Sequence, residues 1–195
     1  MMDRVPVATN TALLIIDVQE AFDEPRWGHR NNPDAEANVA RLGAWREAGR
    51  PVFHVRHLNL TPGSSFHPDA PGSRIKALVR PLEGEPVIEK SVNSAFIGAD
   101  LEERLRRQGI TAVVITGLTT NHCVETTARM AGNLGFDTSF VSDATAAFDR
   151  VGPDGVLHAA EDIQAMTLSN LNGEFATIVT TDEALRRTGD AVGVR

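Results

Sequence analysis

Short apolar runs alternate with amphipathic stretches along the whole chain. Residues 12–16, 52–55, 86–88, 112–116, 138–141 and 176–179 read as buried strands, several of them rich in Val and Ile. Helical periodicity fills the gaps. Asp34–Ala48 follows Pro33, places Val39, Leu42 and Trp45 on one face, and stops at Gly49. Ala99–Gln108 repeats Leu101 and Leu105 against a charged face and ends at Gly109. Glu125–Leu134 closes at Gly135. Pro153–Leu171 is the longest, with Val156, Leu157, Ala160, Ile163 and Leu168 as its apolar stripe. Strand–helix alternation at this spacing predicts an α/β fold, a parallel sheet with helices on both faces. No internal repeat or linker interrupts it, and 195 residues suit a single domain spanning 1–195. Leu58–Leu82, rich in Pro, Gly and Ser, is too long for an idle connection and is expected to border a site. Thr188–Arg195 reads as a frayed tail.

Charge and composition narrow the function. A net charge of −7 excludes nucleic acid as the main partner. The cluster Arg104-Leu105-Arg106-Arg107 falls on a helix and reads as a solvated face. A single cysteine excludes an intramolecular disulfide framework and implies a reducing, cytoplasmic setting. Asp3 and Arg4 argue against a secretory leader in Met1–Thr11. No run approaches the ~20 apolar residues that span a bilayer, so no membrane partner is expected.

In open parallel sheets, sites form beyond the carboxyl ends of the strands, where strand order reverses. Asp17, Lys90 and Cys123 each stand at such an end. Cys123 lies in Gly117-Leu118-Thr119-Thr120-Asn121-His122-Cys123-Val124, between an apolar run and a helix. Free backbone N–H groups and the positive helix end are expected there to favour thiolate, the nucleophilic form.

Three motifs, taken in order, are specific. Asp17-Val18-Gln19 with Phe22, Lys90-Ser91-Val92-Asn93-Ser94-Ala95-Phe96, and the Gly117–Val124 segment together resemble the isochorismatase-like cysteine hydrolases. That superfamily includes nicotinamidases, N-carbamoylsarcosine amidohydrolases and isochorismatases, and the resemblance covers about residues 10–180. It implies a three-layer αβα fold whose six-stranded parallel sheet has the order 3-2-1-4-5-6. It further implies an Asp17-Lys90-Cys123 triad, an oxyanion hole from the backbone N–H groups of Thr119 and Cys123, and a cis peptide between Leu118 and Thr119. A homo-oligomer, dimer or larger, is also implied, and the small-residue stretches Ala128–Leu134 and Ala144–Phe148 are candidate packing surfaces for it.

An amide carbonyl is a poor electrophile, so covalent catalysis helps by splitting hydrolysis into two acyl transfers. The expected reaction is cleavage of a non-peptide C–N bond in a small amide, carbamoyl or ureide compound. Cys123 attacks, Asp17 moves the proton, and Lys90 holds Asp17. Strand 3 lies two places from strand 1, roughly 10 Å, so Lys90 is expected on a loop folding inward. Phe22, His57, Asn59, Phe96 and Thr120 are the candidate substrate contacts. Asp143 reads as structural. Nicotinamidase-type members carry an Asp-x-His pair after the second strand and bind a divalent cation. Here that stretch reads His54-Val55-Arg56-His57-Leu58-Asn59. His57 and His67 do not complete a zinc shell; no metal and no cofactor are expected, and nicotinamide is disfavoured as substrate. Two alternatives stand beside the amidase. Vinyl-ether hydrolysis needs acid from Asp17 but no thiol nucleophile, and a non-catalytic scaffold or a Cys123 redox sensor would keep the fold alone.

Overall fold

A computed structural model describes residues 10–189. Of the Met1–Thr11 and Thr188–Arg195 expectations, the parts on residues 1–9 and 190–195 lie outside the described residues. In chain order the strands are β1 (Thr11–Ile16), β2 (Val52–His57), β3 (Val87–Lys90), β4 (Ala112–Leu118), β5 (Asp137–Ala146), β6 (Arg150–Val151), β7 (Leu157–His158) and β8 (Thr177–Val179). The helices are α1 (Ala35–Arg41), α2 (Ala44–Glu47), α3 (Leu101–Arg107), α4 (Glu125–Asn133), α5 (Ala160–Leu171) and α6 (Thr181–Gly189). Six strands form one parallel sheet in the order β3-β2-β1-β4-β5-β8. This is the expected order, with β8 as the sixth sheet strand because β6 and β7 form a separate antiparallel hairpin.

The apolar runs are explained by burial on both faces. All six residues of β1 are buried, and their period of two divides them. Leu14 and Ile16 pack with Leu101 and Leu105 of α3, Ala128 and Ala131 of α4 and Leu171 of α5. Leu13 and Ile15 pack the other way, with Val39, Leu42 and Trp45 around α1 and α2 and Ala184 of α6. Three layers follow from that alternation. The Arg104–Arg107 cluster is solvated, with Arg104, Arg106 and Arg107 paired to Asp100, Glu102 and Glu103 one turn earlier, while Leu105 points inward. Among the described residues, no helix is long and apolar enough to cross a membrane.

Three expectations are corrected. The Asp34–Ala48 helix is two helices, broken at Leu42-Gly43. A side chain at Gly43 would sit 2.8 Å from the Ala40 carbonyl oxygen. The Pro153–Leu171 helix begins only at Ala160: Pro153 to Gly155 turn a hairpin that leaves Val156 and Leu157 exposed. The tail expected from Thr188 instead has its first two residues inside α6. Ala128, Ala131, Ala144, Ala146, Ala147 and Phe148 are buried within this chain, while Arg129, Met130, Gly132, Asn133 and Leu134 stay at least partly accessible.

The β4–β5 pairing passes from Ile115–Phe140 to Gly117–Thr145, so Val141–Ala144 bulge from the ladder. Their carbonyls are not orphaned. Asn32 donates to Ser142 and Thr145, Asn38 to Asp143, and Gln164 to Ser142. Asp143 accepts from the N–H and hydroxyl of Thr181 and so anchors the start of α6, in line with its structural reading.

Beside the site, Glu36 holds α1 to two loops. It accepts from Arg30 at 2.8 and 2.6 Å and from Lys76 at 2.7 Å. Burial alone would push its carboxyl up, but these cations outweigh that and bring it down to about 2. Because the folded value lies below the unfolded one, the stabilisation is complete above about pH 5 and disappears as pH falls toward 2. Solvent screening trims it to about 1–2 kcal/mol, or roughly 3–6 °C. Thermal melts of wild type and Glu36→Gln should therefore differ by that amount at pH 7 and converge near pH 2.

Candidate active site

The strand order reverses between β1 and β4, and the two ends that open there carry Asp17 and Cys123. Asp17 follows Ile16 directly. Its backbone is left-handed (φ 49°), its N–H bonds Val55 O at 2.9 Å, and its side chain is fully buried. Left-handed backbone is tolerated by Asp better than by most residues, and here it turns the carboxylate inward.

β4 reaches the same point because of a glycine. Gly117 pairs with Ile16 at φ 122°, and a Cβ there would lie 1.9 Å from the Ile16 carbonyl oxygen. Gly117→Ala must prise β1 from β4 one residue before Asp17. We expect about 3 kcal/mol of lost stability together with lost activity, read from denaturant melts and from turnover. An alanine variant that melted like wild type would show that the strand ends do not need this close approach.

Beyond Gly117 the Leu118–Thr119 peptide is cis, as expected from the resemblance. Thr120–Val124 form a π-helical turn leading into α4, and Cys123 sits in it, half-buried. The expected position between strand and helix is therefore right, with a wide turn between the two.

Lys90 corrects the expectation of a loop. It is the last residue of β3, level with His57 of β2, and its side chain lies on the same sheet face as that of Ile88. From there its stem crosses the end of β2. The ammonium donates to Asp17 Oδ2 at 2.6 Å and to His57 Nδ1 at 3.3 Å. The Cys123 sulfur, a carboxylate oxygen of Asp17 and a ring nitrogen of His57 all lie within 4.8 Å of one another. Three residues spread over more than a hundred positions thus meet, and His57 joins them.

The electrostatics of this cluster overturn the expected thiolate. Burial, reinforced by the Asp17 charge, pushes the Cys123 thiol up to about 12, and Lys90 offsets only part of it. At pH 7 the resting sulfur is a thiol beside a carboxylate. Asp17 Oδ2 is committed to Lys90, whereas Oδ1 is buried with no hydrogen-bond partner among the described residues. That oxygen has a free acceptor site. Burial and then the Lys90 charge hold His57 below its ordinary value, so its ring is neutral and Nδ1 can accept from the ammonium.

Gln19 fixes this arrangement. It is fully buried and donates to His57 O at 3.0 Å and Ser73 O at 2.9 Å, while its Oε1 accepts from His57 N at 2.8 Å. One amide thereby pins the end of β2 to the Leu58–Leu82 loop. That loop supplies Phe66, whose ring stands edge-on to His57 at 5.5 Å.

The other candidate contacts scatter. Phe22 joins Trp27, Phe66 and Phe148 in an aromatic cluster, with centroids 5.1 to 6.2 Å from its own. Thr120 is fully buried and its hydroxyl has no partner among the described residues. Asn59 is exposed and accepts from Thr61 N, a turn contact. Phe96 stacks on Phe136 at 5.9 Å, in the core cluster that Cys123 also touches. Trp27, Phe66 and Phe148 went unrecognised because they come from three separate loops. The only sequence signal was scarcity: aromatic residues make up 5% of the chain, and there is no Tyr.

Among the described residues, two groups offer metal-ligating atoms. In Asp17-His57-Cys123 the Lys90 ammonium already supplies positive charge between carboxylate and imidazole. In His29-Asp149-Glu161 the Asp149 carboxylate is taken up by His29 Nδ1 at 3.1 Å and by Ala160 N at 2.8 Å.

Comparison with known proteins agrees with this geometry. The isochorismatase domain model matches residues 11–183. A Bacillus subtilis protein described only as an uncharacterized isochorismatase family protein, YrdC, is 51% identical over 175 residues, covering 89% of this chain and 94% of its own. Nicotinamidase 3 of Arabidopsis thaliana is 32% identical over 198 residues, covering 95% of this chain and 91% of its own. The crystal structure of an isochorismatase-family protein from Chromobacterium violaceum superposes with a TM-score of 0.92 at 41% identity, covering 96% of this chain and 100% of that one.

Proposed function

The chain belongs to the isochorismatase family, and from that premise we propose that it hydrolyses a C–N bond of a small amide, carbamoyl or ureide compound through a Cys123 thioester. The observation that carries this reading is the meeting of sulfur, carboxylate and ammonium at the β1–β4 switch point. The nicotinamidase relative, an amidase by its name, supports amide chemistry.

With the thiol near 12, attack and proton transfer run together. Asp17 takes the thiol proton as sulfur bonds the carbonyl carbon, so no free thiolate accumulates. The carbonyl oxygen becomes an oxyanion facing the backbone N–H groups of Thr119 and Cys123. Asp17 then returns the proton to the nitrogen, the C–N bond breaks, and a thioester remains. Water attacks that thioester, Asp17 takes its proton, and release of the acid restores the thiol. Lys90 holds the Asp17 carboxylate in place throughout by its hydrogen bond to Oδ2. In this reading His57, Phe22 and Thr120 serve as substrate contacts.

The raised thiol favours a second reading as well, in which Asp17 delivers a proton to a vinyl ether and Cys123 only lines the site. Ammonia release from a panel of amides and ureides, with intact-mass detection of acylated Cys123, decides between them. A panel that yields neither ammonia nor adduct defeats the thioester route.

A further inference from the structure

Beside Thr119 lies a cavity of about 140 Å³ whose charged groups are unevenly neutralised. Trp27 and Phe148 form its apolar wall, their rings 5.4 Å apart. Thr119, Asn121 and His122, from the turn that carries Cys123, form another side. Three charged residues complete the lining. Arg26 is matched by Glu24 at 2.8 Å and also donates to Ser65. Asp149 is matched by His29 and by the first N–H of α5. Arg150, at the foot of the β6–β7 hairpin, has no carboxylate partner among the described residues.

Resting on the hydrolase reading above, we propose that this cavity binds the far end of the substrate and that Arg150 selects for an anionic group there, a carboxylate above all. The neighbouring groups suit that role. Thr119 Oγ1 and His122 Nδ1 lie 3.1 Å apart, which fixes the imidazole edge among the lining groups. Burial, and then the Arg150 charge, hold His122 below its ordinary value, so that edge is neutral and the guanidinium lies close enough to be felt. Asn121 adds an amide donor. A guanidinium offers a planar fork that matches a carboxylate, and such charge-assisted bonds discriminate strongly. The aromatic wall accepts a short flat or aliphatic body between the two ends. The chain as a whole carries −7, so it repels anions at long range; selection of one depends on this local cation.

The test compares succinamate with the neutral amide butyramide, matched in length, as substrates. Wild type should favour succinamate in kcat/KM, and Arg150→Ala should lower that preference about ten- to a hundredfold. Arg150→Lys should restore part of it, because the charge returns without the fork. Arg41→Ala, a surface arginine of α1 paired with Asp182 of α6 and outside the cavity lining, should leave the preference as it is and serves as control. Equal use of both amides by wild type, or a preference that survives Arg150→Ala, overturns the anion subsite while leaving C–N hydrolysis intact. If neither amide is turned over, calorimetric binding of succinamate to Cys123→Ala takes over as the readout. Binding that vanishes in Cys123→Ala/Arg150→Ala supports the subsite without the hydrolase reading; no binding to Cys123→Ala defeats the subsite.

Discussion

Cys123→Ala is expected to lower amide turnover by about 10⁴-fold or more, the scale on which removal of a nucleophile acts in a coupled catalytic group. The fold should survive. The sulfur is half-buried at the edge of its core cluster, so its loss leaves a small gap and costs about 1 kcal/mol. Ammonia release measured beside a denaturant melt separates the two effects. Full ammonia release with a normal melt would remove the thioester and leave amide hydrolysis without a thiol nucleophile. Loss of both activity and cooperative unfolding would instead make Cys123 a packing residue.

Asp17→Asn should be as damaging to activity, and for more than one reason. Asn tolerates the same left-handed backbone, so the strand end is kept while the proton carrier goes. The Lys90 ammonium, fully buried, then has no counter-charge, and breaking such a pair costs about 3–5 kcal/mol. We therefore expect at least a thousandfold loss of turnover together with a markedly lowered melting temperature. A third readout has the opposite sign. Asp17 is one of the groups that hold the thiol up, and Lys90 is one that pulls it down. Removing the carboxylate therefore brings the thiol down, and alkylation of Cys123 by iodoacetamide at pH 8 should be faster in Asp17→Asn than in wild type. Slower alkylation would mean that the carboxylate assists the sulfur by another route than proton acceptance. Comparing both variants also sorts the chemistry: loss in Asp17→Asn alone indicates the vinyl-ether reaction, loss in both the thioester.

Much of this was legible beforehand. Six uninterrupted apolar runs gave six sheet strands within a few residues, because a strand covered on both faces has no polar side to disguise it. The same rule located Asp17 and Cys123 at strand ends. Element boundaries were harder. Val156 and Leu157 continue the period of α5 on paper, yet Gly152, Pro153 and Gly155 turn the chain into a hairpin and leave both side chains in water. Local pattern cannot register whether an apolar residue finds a surface to cover.

The amino-acid order determined which groups could do chemistry and on which strands they ride, since period and turn residues act within a few positions. Tertiary structure alone decided how those groups are charged and how they meet. Lys90 reaches Asp17 from its own strand end, across β2, because the register places it level with His57. The Cys123 thiol is pushed up by burial and by the Asp17 carboxylate, neither of which the helix-end expectation included. Desolvation and a neighbouring carboxylate depend on what the fold brings within a few ångströms, and no stretch of sequence carries that distance.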